Sequence, residues 1–154
     1  MTAYFFLEVW TDGGARGNPG PAGIGVVIKD AKGHIVHASG EHIGATTNNV
    51  AEYTALIRAL EVCRRLEAQQ LRIRLDSELV VRQIQGAYKV KNEGLKPLFL
   101  EARKLLSGIQ YEMIHIAREE NSEADALVND AIDRHQNGSA PEVGEATPGQ
   151  GTLF

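Results

Sequence analysis

An α/β domain built on a mixed sheet is the fold class this sequence predicts, and three observations predict it. Three β-like runs come first, the apolar period changes to that of a helix near Asn49, and strand-like and helical segments then alternate. That order points to a mixed sheet with one antiparallel portion and helices packed on it, rather than to an all-parallel doubly wound fold.

The first run, residues 4–11, is rich in aromatic and β-branched side chains and stops at Asp12-Gly13-Gly14, which places Asp12 at a strand end. Residues 24–29 and 33–43 form two further β-like runs about a hairpin turn at Asp30-Ala31-Lys32-Gly33, completing a three-stranded meander. Ala51, Ala55, Leu56, Ala59, Leu60, Cys63 and Leu66 then recur at helical spacing, with Glu61, Arg64 and Glu67 off that stripe. Leu71, Ile73 and Leu75 alternate with Arg72 and Arg74 in a short strand that ends at Asp76, and a helix follows through Val80, Val81 and Ile84 to Gly86. Pro97 opens another apolar-periodic helix, residues 111–116 read as the last strand, and residues 122–135 as the final helix. From Asn137 to Gly151 almost nothing apolar remains, so the expected organisation is one folded domain over 1–136 and a disordered tail over 137–154.

Composition narrows the function. At 154 residues the chain can bury one sizeable core, and its net charge of −4 is not the footprint of a strongly basic nucleic-acid binder. A polyanionic partner would have to meet local positive charge or metal. The single cysteine, Cys63, excludes an intramolecular disulfide and a cysteine-rich zinc site, in keeping with a reducing, cytoplasmic compartment. The first residues lack a basic leader, and no apolar run approaches a membrane span.

The glycine-rich segment from Asp12 to Gly23 lacks the Gly-Lys-Ser/Thr ending of a phosphate-binding loop and does not open a helix. An acid stands directly before it. Taken singly, each acid has a structural explanation: Asn49-Val50-Ala51-Glu52 and Ser122-Glu123-Ala124-Asp125 resemble helix starts, and Asp76-Ser77 a strand end with a helix cap. Taken together, two acids at strand ends and two in first helical turns can converge at one end of a sheet, where active sites are commonly carried. Clustered carboxylates repel unless they share a cation, and an all-oxygen set suits Mg²⁺ or Mn²⁺.

Four blocks, in order, resemble type 1 ribonuclease H. They are Thr11-Asp12-Gly13-Gly14 with Gly17-Asn18-Pro19-Gly20-Pro21, then Thr47-Asn48-Asn49-Val50-Ala51-Glu52, Leu75-Asp76-Ser77, and Asn121-Ser122-Glu123-Ala124-Asp125. The resemblance covers residues 4–135 and implies a ribonuclease H-like five-stranded mixed sheet with helices on both faces. It further implies two-metal hydrolysis of the RNA strand of RNA/DNA hybrids, leaving 5′-phosphate ends. In that scheme Asp12 bridges both ions, Glu52 and Asp76 complete their shells, and Asp125 holds the more mobile one. Gly13, Gly14, Asn18, Thr47 and Asn48 match positions at the substrate, although Asn and Thr there also suit turns and caps. Other nucleic-acid transferases of similar acid pattern lack the Gly-Asn-Pro-Gly-Pro and Thr-Asn-Asn blocks, and a non-catalytic hybrid-binding domain would be signalled by a missing carboxylate.

Two positions depart from the family pattern. Glu78 follows Asp76-Ser77 where many members carry a substrate-touching amide. The loop at residues 116–121 is short, with Arg118 near the place where longer-loop relatives carry a catalytic histidine. Arg118 is therefore expected as an auxiliary cation at phosphate, its alternative being a surface pair with Glu119 or Glu120. The five histidines show no metal-ligand spacing, and Lys89, Lys91, Lys96, Arg103 and Lys104 make the middle segment locally basic. At the end of the sequence, Gln150-Gly151-Thr152-Leu153-Phe154 resembles the Gln-x-x-Leu-Phe peptides that bind bacterial replication sliding clamps, with Gln150, Leu153 and Phe154 as the expected contacts.

Overall fold

The computed structural model describes residues 4–138. The elements are β1 (Phe6–Ala15), β2 (Gly20–Asp30), β3 (Ile35–Thr46), α1 (Asn48–Arg65), β4 (Gln70–Leu75), α2 (Glu78–Ile84), α3 (Lys96–Leu106), β5 (Gln110–His115) and α4 (Ser122–Gln136), with a 3₁₀ turn at Arg118–Asn121. The strands form one five-stranded sheet in the order β3-β2-β1-β4-β5. β1, β2 and β3 pair antiparallel, whereas β1–β4 and β4–β5 pair parallel, giving the expected mixed sheet.

Alternation along the strands decides what each face carries. Leu7 and Val9 of β1 and Leu71, Ile73 and Leu75 of β4 are buried with Tyr53, Leu56, Leu60 and Cys63 of α1, forming the main core. Their neighbours Glu8, Trp10, Arg72 and Arg74 point to the opposite face. There Arg74 pairs with Glu8 at 2.7 Å, Arg72 with Glu112 at 3.1 Å, and Arg74 and Lys29 lie over the Trp10 ring. Helices cover both faces: a side chain at Gly13 would strike Ala51 of α1, and one at the adjacent Gly14 would meet Val128 of α4.

β1 does not stop at Asp12, as the abrupt Asp-Gly-Gly had implied. Its pairing with β4 ends at Thr11–Leu75, but its hairpin with β2 continues through Asp12–Gly25 to Ala15–Ala22. An antiparallel partner joined by a short loop can extend past the end of a parallel neighbour. Asp12 is thus inside a strand on one side and at a strand end on the other.

The start of α1 also differs by two residues from the expected cap. Thr47, not Asn49, is the N-cap, its hydroxyl accepting from the Val50 N–H at 3.3 Å. Glu52 therefore sits in the second turn, beyond capping reach, and the structural explanation for that acid falls away. Ser122 is likewise the first residue of α4 rather than its cap, which is Asn121. Ser77 caps α2 as expected, accepting from Val80 N–H at 3.3 Å.

His42 and His135 stack at 3.6 Å, tying β3 to the end of α4. Part of the basic middle segment is structural: Lys96 pairs with Glu93, and Arg103 donates to the Ile84 carbonyl. Among the described residues no helix is long and apolar enough to cross a membrane. The tail beyond Gly138, with Gln150, Leu153 and Phe154, lies outside the described residues.

Candidate active site

The end of the β1–β4 pair opens into a groove of about 430 Å³ lined by Asp12, Glu52, Asp76, Asp125 and Arg118. All four expected carboxylates reach it, each from a different element. Asp12 leaves β1 just where β4 ends, and Asp76 follows Leu75 of β4 directly. Glu52 comes from α1 on one face of the sheet and Asp125 from the first turns of α4 on the other.

Glycines set these approaches. Gly13 has no side chain where the backbone of Ala51 and Glu52 passes, so α1 seats directly on β1. On the other face a side chain at Gly25 would strike the Ala124 carbonyl of α4, so this bare patch of sheet lets the helix settle close enough to bring Asp125 to Asp12.

Asp12, Glu52 and Asp76 each offer a ligand oxygen within 4.8 Å of the others, while Asp125 adjoins Asp12 through a side-chain hydrogen bond. Asp12 is 7 % and Glu52 8 % exposed. Burial, the charges of Asp76 and Asp125 and the Asp125 hydrogen bond push Asp12 up to about 8, against the opposing charge of Arg118. Burial, then the charges of Asp12 and Asp76, push Glu52 well above the usual carboxylate range, opposed by the Gly13 N–H and Arg118. The Glu52 Oε1 is buried with no hydrogen-bond partner. An orphaned oxygen within an all-carboxylate donor set fits a hard divalent cation, which would relieve both the repulsion and the unmet bond.

Arg118 lines the groove, and no ion pair joins it to Glu119 or Glu120. The Glu120 carboxylate instead accepts from the Ala117 N–H at 2.9 Å. The alternative surface pair is absent, and the Arg118 charge instead acts on Asp12 and Glu52. Glu78, the departure noted after Asp76-Ser77, is exposed in the first turn of α2 and pairs with Arg82 at 3.5 Å.

The residues expected at substrate form a stitched rim. Asn48 Oδ1 accepts from the Ala15 N–H at 2.8 Å, and Asn18 Oδ1 accepts from the Asn48 N–H at 3.0 Å. Gly13, Gly14 and Asn48 line the groove, whereas Thr47 and Asn18 stand beside it. The structural roles foreseen for Asn18, Thr47 and Asn48 are thus all present, and the side-chain amide N–H groups of both asparagines have no partner among the described residues.

In the sequence Asn121 ends the short loop and opens the fourth family block, with no role of its own. It is 1 % exposed, and its amide donates to the Thr11 carbonyl at 2.8 Å and to Asp76 Oδ2 at 3.4 Å, fastening α4 to both carboxylate-bearing strands. A buried amide beside a run of acids was the available signal. Cys63 lies in the core with burial pushing its thiol up to about 12, which removes it from nucleophilic chemistry.

A family model described as reverse transcriptase-like matches residues 10–131. The chain is 41 % identical over 128 residues to ribonuclease HI of Halobacterium salinarum, covering 82 % of this chain and 64 % of that protein. It is 34 % identical over 151 residues to ribonuclease H of Alkalilimnicola ehrlichii, covering 87 % of this chain and 99 % of that one. The solved structure of LC11-RNase H1 in complex with RNA/DNA hybrid superposes with a TM-score of 0.80 at 51 % identity, covering 84 % of this chain and 99 % of that chain. The chain spans less than two thirds of some relatives, 39 % in the case of a Mycobacterium tuberculosis protein described as bifunctional. With matching blocks, sheet order and acid cluster, the chain belongs to the ribonuclease H family, type 1.

Proposed function

We propose that this chain is an endonuclease that hydrolyses the RNA strand of RNA/DNA hybrids, leaving 5′-phosphate ends, with Mg²⁺ or Mn²⁺ as cofactor. The observation that carries this reading is the convergence of Asp12, Glu52, Asp76 and Asp125 in one groove with Glu52 Oε1 unpartnered. Asp12, central to the cluster, together with Glu52, Asp76 and Asp125, would hold divalent cations. When bound, these supply positive charge that activates the attacking water and stabilises the departing 3′ oxygen.

The protein's own groups orient the substrate. The rim of Gly13, Gly14, Asn18, Thr47 and Asn48 offers backbone and amide donors suited to 2′-hydroxyl and phosphate groups, so selection rests on hybrid shape and sugar rather than on base sequence. The hybrid held by the related LC11 enzyme supports that substrate class. Arg118 holds a fixed positive charge beside the acids, where it can stabilise a phosphate but cannot relay a proton near neutral pH. The buried Cys63 accords with a reducing, cytoplasmic setting.

Labelled RNA/DNA hybrid, RNA duplex, DNA duplex and single strands, incubated with and without Mg²⁺ or Mn²⁺, test the proposal. Cleavage confined to the RNA of the hybrid and dependent on metal is expected; metal-independent cutting, or none, overturns it. In the same assay Arg118→Ala is expected to lower kcat by about 10–100-fold without abolishing it, because the carboxylates remain. Unchanged kinetics across substrate concentrations would return Arg118 to a surface role.

The terminal Gln150, Leu153 and Phe154 are proposed to engage a replication sliding clamp, two apolar side chains filling a pocket while Gln150 fixes orientation. Deleting residues 150–154 is expected to abolish calorimetrically measured clamp binding while hybrid cleavage persists. Undiminished clamp affinity would refute the assignment.

A further inference from the structure

Asp125 is the one member of the cluster that comes from α4, and the side chains that reach it from outside the acids form a chain of their own. The Asn129 amide, one turn on, donates to the Asp125 carbonyl at 3.1 Å and to its carboxylate Oδ2 at 3.3 Å. Its oxygen, Oδ1, accepts from Arg16 Nη2 at 3.2 Å. Arg16 stands in the loop between β1 and β2, and its other arm donates to Asp133 at 2.6 Å and Gln136 at 2.7 Å.

This order of donors and acceptors leaves the amide a single orientation. A guanidinium has only N–H groups, so it must face the Asn129 oxygen, and the NH₂ is then directed at the carboxylate. A reversed amide would set NH₂ against guanidinium and oxygen against oxygen. With one oxygen tethered, rotation of the Asp125 carboxylate is restricted. Arg16, in turn, is held by its neighbours: Ala15 N–H donates to Asn48, and Asn18 accepts from the backbone of Asn48.

Resting on the metal-site reading above, we propose that Arg16 and Asn129 are positioning residues that set the Asp125 carboxylate for divalent-cation binding. Neither needs to touch metal or the reacting phosphate. Arg16 fixes the Asn129 amide, and the amide fixes the acid. Because Arg16 also belongs to the loop stitched to Asn48, the pair joins the substrate rim to the α4 carboxylate that lines the groove.

The test is a Mg²⁺ and Mn²⁺ titration of the full chain, read as the metal-induced rise in melting temperature without substrate and, separately, as hybrid cleavage. Asn129→Ala is expected to raise the half-saturating metal concentration by roughly tenfold in both readouts, with cleavage largely recovered at saturating metal and KM for hybrid unchanged. Arg16→Ala should shift it in the same direction, and the double variant should be no worse than the more severe single variant, because both act through the same amide. Arg16→Lys, which keeps the charge without the fork, supplies a milder lesion and should fall between wild type and Arg16→Ala. A lower melting temperature with unchanged metal half-saturation would reduce the pair to a structural clasp and overturn the proposal. If the wild-type chain binds metal but leaves hybrid intact, the hydrolase reading fails while the thermal readout still decides this one; if it binds no metal, both fail.

Discussion

Asp12→Asn is expected to lower hybrid cleavage by about a thousandfold or more while leaving hybrid affinity close to that of the unaltered chain. Asp12 is the acid on which the cluster turns: Asp76 and Asp125 act on its charge, its own charge acts on Glu52, and it shares a hydrogen bond with Asp125. Asparagine keeps the size of the side chain but replaces one ligand oxygen by a donor and removes the charge. The groups that would hold sugar and phosphate, Asn18, Thr47 and Asn48, are anchored to one another and to Ala15 rather than to Asp12, so their geometry survives. Single-turnover cleavage separates the two effects from binding measured by fluorescence anisotropy. Near wild-type turnover would remove Asp12 from the centre of the mechanism, and a parallel collapse of binding would mean that the rim and the cluster are not separable.

Much of this site could be read before any coordinates because its acids are local punctuation. Asp76 ends a strand whose alternation of Leu71, Ile73 and Leu75 with two arginines has one interpretation, and the helical stripe from Ala51 to Leu66 puts Glu52 near its start. What could not be read is what depends on tertiary approach. Asp-Gly-Gly looked like the end of a strand because glycine usually marks a break, yet Gly13 lies inside β1 so that α1 can touch it. Nothing local marks Gly25 within the second β-like run, and its meaning appears only once α4 rests on it. The same holds for Arg16 and Asn129, which lie 113 residues apart and share an amide that no local pattern could pair. Asn121 stands in view as the first residue of the fourth family block, but nothing local shows that its side chain turns inward to Thr11 and Asp76.

Without divalent metal, the folded chain should lose stability as pH rises from about 4 to about 8, and Asp12→Asn should relieve much of that loss. The direction follows from where the protons are held. Asp12 is raised from 3.8 to about 8 by burial first and by neighbouring acids second, and Glu52 is raised with it, so the folded state keeps protons in this interval that the unfolded chain has already released. The favourable contribution is complete below the unfolded value and disappears as pH passes the folded one. Asp30, His37 and His42 are shifted the other way and add an opposing background, but that background is common to both proteins and cancels in their difference. In chelator at pH 8 the variant should therefore be more stable by on the order of 2 kcal/mol, or roughly 5 °C in melting temperature, with the advantage vanishing below about pH 3, where Asp12 is neutral in both states. Adding Mg²⁺ should reverse the order at pH 8, since the intact cluster gains binding energy that the variant has largely lost. A variant less stable than wild type in chelator at pH 8, or an advantage independent of pH, would mean that the four acids do not repel as a buried cluster, and the case for a cation among them would lose its physical basis.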